Sequence, residues 1–166
     1  MLFRSTAHSQ NESPRKERLR RLDRIFAPSP IYFVTACTFN RRHVLASATL
    51  HRAFQDFAHA GEEHGTYVGA YVIMPDHIHL FVALEEQATL SRWIKSLKNS
   101  LSKSLRSIGH SPPHWQKGFF DHVLRSAESY SQKWEYVRDN PVRARLVKTW
   151  EEWPYCGEIW PIEYRK

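Results

Sequence analysis

The 166-residue sequence predicts an α+β fold of the ferredoxin-like, split β-α-β kind: an antiparallel sheet with helices on one face and an extra C-terminal helix. Three observations predict it. Segments of strand and helix character follow one another in the order β-α-β-β-α-β-α. Residues 77–84 alternate so that Ile78, Leu80, Val82 and Leu84 share one apolar face. Residues 89–108 place Leu90, Ile94, Leu97, Leu101, Leu105 and Ile108 in steps of three and four, the stripe of a helix that packs on such a face.

The first strand, 31–39, is rich in β-branched and aromatic residues and ends at Asn40-Arg41-Arg42. Leu50, Ala53, Phe54, Phe57 and Ala58 recur at helical spacing, so 49–64 reads as an amphipathic helix with Gly65 at its C-terminal cap. Residues 67–74 form a second strand, Pro75-Asp76 a tight connection, and 77–84 the third, together a β-hairpin. Gly109 caps the 89–108 helix and Pro112-Pro113 forbids its continuation. Residues 119–124 read as a short fourth strand. The last helix runs from 129 to about 140, N-capped by Ser126 or Ser129 and stopped by Pro141.

The chain divides into a basic, flexible N-terminal tail (1–28), one domain (29–150) and an irregular aromatic tail (151–166). The basic run Arg15, Lys16, Arg18, Arg20, Arg21 and Arg24 reads as a solvated tail or as an arm for a phosphate backbone. At 42% hydrophobic and 25% charged, the composition excludes a disordered or collagen-like chain. The longest apolar run, 80–84, is far short of the roughly 18 residues of a membrane helix. Cys37 and Cys156 form no C-x-x-C pair, which leaves a reducing, cytoplasmic setting as the default. The net charge of +7 favours a polyanionic partner, nucleic acid ahead of an anionic membrane surface.

The third strand carries the candidate chemistry. His77 and His79 share the face opposite the apolar one, with Phe81 and Ala83. Two imidazoles two residues apart on an exposed sheet face project in parallel and can chelate one divalent ion. In a chain with ten histidines the same pair also arises by chance, as two solvent-facing side chains. In the last helix, Tyr130, Trp134 and Val137 form the apolar stripe, and Tyr136 projects roughly 100° away from it. Asn140, four residues on, shares the face of Tyr136. If this helix lies over the open face of the sheet, two imidazoles, an amide and a phenol meet on one surface.

The segment Tyr71-Val-Ile-Met-Pro-Asp-His-Ile-His-Leu80 resembles the His-hydrophobic-His motif of the HUH single-tyrosine transposases. Trp115-Gln-Lys-Gly-Phe-Phe-Asp-His-Val-Leu-Arg125 and Tyr136-Val-Arg-Asp-Asn-Pro-Val-Arg143 resemble the downstream blocks of the REP-associated tyrosine transposases within that superfamily. The resemblance covers about residues 30–150, and three blocks in order are far more specific than the histidine pair. It implies Tyr136 as nucleophile, His77 and His79 as metal ligands, and Asn140 as the third ligand. The implied activity is metal-dependent cleavage and rejoining of single-stranded DNA next to a hairpin-forming palindrome, through a 5′-phosphotyrosine. Two nitrogens and an amide oxygen suit Mg²⁺ or Mn²⁺ and do not separate them. Arg145 stands where similar proteins often carry glycine, which puts the exit of the last helix in question. His122 stands where arginine is common, as a DNA contact or merely a strand-face residue.

The resemblance also implies DNA as partner. Arg92, Lys95, Lys98, Lys103 and Arg106 on the long helix, with Arg125, Arg138, Arg143, Arg145 and Lys148, are phosphate-binding candidates, and no acidic residue interrupts 89–109. Trp115, Phe119 and Phe120 are candidates to stack on bases or to pack in the core. Two other functions stay open: a binding module of the same fold without chemistry, and a histidine phosphodiesterase indifferent to chelator and to Tyr136. Monomer and homodimer are both compatible. The short link from the fourth strand to the last helix favours a tyrosine acting within its own chain.

Overall fold

The computed structural model describes residues 25–27 and 31–164. In chain order the elements are β1 (Ile25–Ala27), β2 (Ile31–Cys37), α1 (Ala48–Ala60), β3 (Thr66–Ile73), β4 (His77–Leu84), α2 (Leu90–Ser107), β5 (Phe120–Leu124), α3 (Ala127–Arg138), α4 (Asn140–Arg143), β6 (Cys156–Glu158) and β7 (Ile162–Tyr164). β2 to α3 reproduce the predicted order. They build an antiparallel sheet in the spatial order β5-β2-β4-β3-β6. The β2-α1-β3 passage leaves a gap that β4 fills, and the β4-α2-β5 passage crosses over β2, so the two passages interlock, the hallmark of the split β-α-β arrangement.

α1 and α2 cover one face. Ser47 accepts from the Leu50 N–H at 3.2 Å and so starts α1. The predicted helix to residue 64 is shorter by one turn: 61–64 tighten into a 3₁₀ turn closed by Gly65 in the left-handed region. Leu50, Phe54 and Ala58 of α1 and Ile94, Leu97, Leu101 and Leu105 of α2 are buried against Val34, Val68, Ile78, Leu80 and Val82 of the sheet. Each fully buried aliphatic side chain of this kind contributes about 1.5–3 kcal/mol.

The opposite face has a thinner cover. β3 slips register between Val68 and Tyr71, a bulge that turns Ala70 and Val72 to this side. α3, N-capped by Ser126 at 3.1 Å from the Ser129 N–H, lies here. Its Tyr130 and Trp134 pack on Phe81, and Val137 on Val72 and Met74. The Ala70 N–H donates to the Tyr130 hydroxyl at 3.2 Å, pinning the helix to the bulge. At Gly69 a Cβ would come within 2.8 Å of that hydroxyl and 2.9 Å of Ile162 Cδ1, so only glycine allows the approach.

Three readings of the chain ends change. Pro141 does not end the helical path. α3 breaks at Asp139 and α4 continues to Arg143 with Pro141 in its first turn, where proline's missing N–H is no loss. The aromatic C-terminal segment is not irregular: β6 extends the main sheet beside β3, and β7 pairs in parallel with β1, which falls within the segment read as tail. Three-residue strands are too short to show a period. Residues 1–24, with the basic run, lie outside the described residues. No described helix is long and apolar enough to cross a membrane.

Candidate active site

His77 and His79 emerge on the α3 side of the sheet, as the alternation requires, because Ile78 and Leu80 are committed to the helix-packed side. α3 docks beside them through its apolar stripe. Tyr136, off that stripe, stays 64% exposed. His77, His79, Tyr136 and Asn140 line one cleft of about 470 Å³, with Phe33, Met74, Val137, Lys133, Arg143 and Ala144. The structure thus brings together the four side chains that the sequence placed on one surface.

The imidazoles face each other. Their Nε2 atoms are 3.1 Å apart. Behind them, His77 Nδ1 meets the Asp76 carboxylate at 2.6 Å and His79 Nδ1 meets the Thr35 hydroxyl at 2.8 Å. Asp76 in turn is held by Arg41 at 2.7 Å, and Arg41 also donates to Cys37 Sγ at 2.9 Å. A carboxylate that accepts from Nδ1–H leaves the Nε2 lone pair free. Thr35 serves either tautomer of His79, donating to Nδ1 or accepting from it. With both Nδ1 atoms protonated, two lone pairs meet at a spacing where both can reach one cation at about 2.1 Å. This donor set fits a divalent ion.

The electrostatics favour neutral rings. Burial lowers the pKa of His77, and Arg41 lowers it further, against the hydrogen bond and charge of Asp76. Burial first, then the charges of His77, Arg41, Lys133 and Arg143, push His79 down to about 3. Burial works against the Asp76 carboxylate, but its hydrogen bond to His77 and the charges of His77, Arg41 and His43 together hold it below the usual range. Among the described residues no group of three or more His, Cys, Asp or Glu is placed to hold a metal, so a cation here depends on the two imidazoles, an amide and oxygens from a substrate. Asn140 heads α4, and its Oδ1 accepts a hydrogen bond from Arg143, whose guanidinium also lies 4.1 Å from the centroid of the Tyr136 ring.

The predicted phosphate-binding residues are dispersed. Arg143 is in the cleft. Arg92, Lys95, Lys103 and Arg106 are exposed on α2, on the other side of the sheet from the histidines, because the apolar stripe of α2 is spent on the opposite core. Lys98 is not free for phosphate: its ammonium donates to the carbonyls of Gln116 and Gly118 and sits 5.9 Å from the Trp115 ring centroid. Arg138 is half-buried, its guanidinium 5.1 Å from the Trp150 ring centroid. Arg125, at the turn from β5 to α3, and Lys148 are exposed. Arg145 is also exposed and adopts φ 58°, the left-handed conformation that explains why glycine suits this helix exit. Trp115 and Phe119 pack against the helix-side core, whereas Phe120 is exposed.

Sequence reasoning passed over four residues that shape the cleft. Asp76, Thr35 and Arg41 orient the imidazoles. Lys133 puts an ammonium in the cleft, 5.2 Å from the Phe33 ring centroid. The signal for Lys133 was its place three residues before Tyr136, on the same side of α3. The signal for Asp76 was its place next to His77.

A profile of the family described as "Transposase IS200 like" matches residues 29–140. The chain belongs to this family of transposases. It is 25% identical over 136 residues to the REP-associated tyrosine transposase of Escherichia coli strain K12, an alignment covering 80% of this chain and 78% of that protein. Among solved structures, a REP-associated tyrosine transposase bound to a REP hairpin superposes with a TM-score of 0.61 at 23% identity, over 83% of this chain and 82% of the other. That likeness establishes the shared fold.

Proposed function

We propose that this protein cuts and rejoins single-stranded DNA beside a hairpin-forming repeat, with Tyr136 as nucleophile and a divalent cation, Mg²⁺ or Mn²⁺, held by His77, His79 and Asn140. One observation carries the reading: the facing Nε2 atoms, 3.1 Å apart, share a cleft with Tyr136 and Asn140 on the side of the sheet away from α1 and α2. Membership of a transposase family and the hairpin-bound relative of the same fold support DNA as substrate.

When bound, the ion polarises the scissile phosphate and offsets charge that builds on it. The chain's own residues do the rest. The Tyr136 oxygen forms a bond to phosphorus while the bond to the 3′-oxygen breaks, leaving a free 3′-hydroxyl and a 5′-phosphotyrosine. A 3′-hydroxyl then attacks the same phosphorus and returns the phenol, which rejoins the strand. Lys133 and Arg143 line the cleft with positive charge, and among the described residues no carboxylate lines it. Asn140 would hold the cation only once Arg143 releases its amide oxygen, and a phosphate oxygen would be the acceptor that draws the guanidinium away. Asp76 and Thr35 keep the imidazole lone pairs turned inward.

The test is incubation of a labelled single-stranded hairpin oligonucleotide with Mg²⁺ or Mn²⁺, or with a chelator, followed by denaturing electrophoresis. Cleavage is expected with metal and none with chelator. Binding without cleavage in either metal would leave a DNA-binding module of the same fold. Cleavage that survives chelation would point to histidine chemistry.

A further inference from the structure

The second of the three sequence blocks, Trp115 to Arg125, does not line the cleft, yet the sheet register carries its exposed Phe120 to the cleft's side. His79 pairs with Thr35, and Thr35 pairs with Phe120. Residues directly opposite in antiparallel strands share a face. Phe120 therefore stands in the row of His79, about 10 Å away across two strand spacings. One row further on, Phe33 pairs with His122, which faces the same way. Asp121, the acid between them, alternates to the helix-packed side opposite Val34. Phe120 is 69% exposed and makes no ring contact with any described residue, although its neighbour Phe119 is packed in the core. β5 is also the edge of the sheet, where a bare aromatic side chain invites association.

We propose that Phe120 is the stacking platform for one unpaired base of the strand whose phosphate lies in the cleft. The inference rests on the reading of that cleft as a DNA-cutting site. On this face β5 exposes the aromatic ring of Phe120 and the imidazole of His122, with Leu124 buried, and at the near side of the cleft the Lys133 ammonium sits over Phe33, itself stacked on His79 at 5.3 Å. An exposed ring on the same side of the sheet as the cleft's cations, with no acid on this face of β5, suits a nucleobase on a polyanionic chain. A strand gripped at the histidines and leaving toward β5 passes over Phe120 within a couple of nucleotides. Stacking of this kind discriminates unpaired from paired DNA, because a base inside a duplex has no free ring face to offer.

The experiment uses the full chain carrying Tyr136→Phe, so that binding is read without cleavage. A fluorescent hairpin oligonucleotide with a single-stranded flank is scanned with single abasic positions, and binding is followed by anisotropy. With Phe120 in place, one abasic position is expected to weaken binding about ten-fold. With Phe120→Ala, binding of the intact oligonucleotide falls by a similar factor and that abasic penalty disappears. Phe120→Trp restores both. A scan in which no abasic penalty depends on residue 120 would overturn the proposal, even if the native protein cuts the hairpin. Coupling between one base and residue 120 in a protein that never cuts DNA would uphold the platform and overturn the proposed chemistry instead.

Discussion

An imidazole has two nitrogens, and the neighbour that takes the proton of one decides what the other can do. At His77 that neighbour is Asp76, which is itself fixed by Arg41. Asp76 does not itself line the cleft, so its effect runs through the His77 ring. Asp76→Ala is expected to leave the fold intact, by circular dichroism, and to weaken Mn²⁺ binding about 10- to 100-fold in titration calorimetry. Lys133 acts differently: it puts a charge in the cleft, where in the proposed reaction a phosphodiester gains negative charge. Lys133→Met keeps most of the apolar stem and removes the charge. It is expected to slow cleavage about 10- to 100-fold with hairpin binding changed far less, and Lys133→Arg to recover part of the rate. Equal losses in binding and rate for Lys133→Met would make it a general DNA contact. In the sequence the only mark of either residue was its spacing, Lys133 three residues before Tyr136 and Asp76 next to His77.

At the scale of elements, what matters is how α3 comes to lie on the sheet at the right height for Tyr136. Its docking joins three features: the apolar stripe of Tyr130, Trp134 and Val137, the bulge in β3, and the bare backbone at Gly69. The stripe was legible as a period. The bulge was not, because an extra residue in a strand changes no composition and only breaks the alternation that identifies the strand. Gly69→Ala places a methyl group against the Tyr130 hydroxyl. It is expected to cost about 1–3 kcal/mol by denaturant unfolding and to reduce cleavage more than hairpin binding, since it lifts the helix that carries the proposed nucleophile. An unchanged unfolding midpoint would show that α3 is held elsewhere. The exit of that helix was legible only in part: Arg145 stood out as the residue in a glycine's place, but the α3–α4 break at Asp139 and the continuation through Pro141 depend on local backbone angles that no spacing reveals.

At the scale of the whole molecule, the sheet separates a packed face from an open one. One face, under α1 and α2, is the core. The other is half covered and carries the cleft, Lys133, Arg143 and Phe120. The alternation of β4 made this division readable from sequence, since a strand with four apolar residues on one side must turn its histidines to the other. The closing strands β1, β6 and β7 were not readable, being three residues each and assembled from the two ends of the chain. Nor does the net charge of +7 single out one surface, because the basic face of α2 and the cleft are on opposite sides of the sheet. The central claim is that the Tyr136 oxygen takes the phosphorus. It is tested most directly by cutting an internally ³²P-labelled hairpin in Mn²⁺, digesting the protein and locating the label by peptide. The label is expected on the peptide containing Tyr136 and is expected to vanish in Tyr136→Phe, with hairpin binding retained. Label on another peptide, or full cleavage by Tyr136→Phe, would contradict the account.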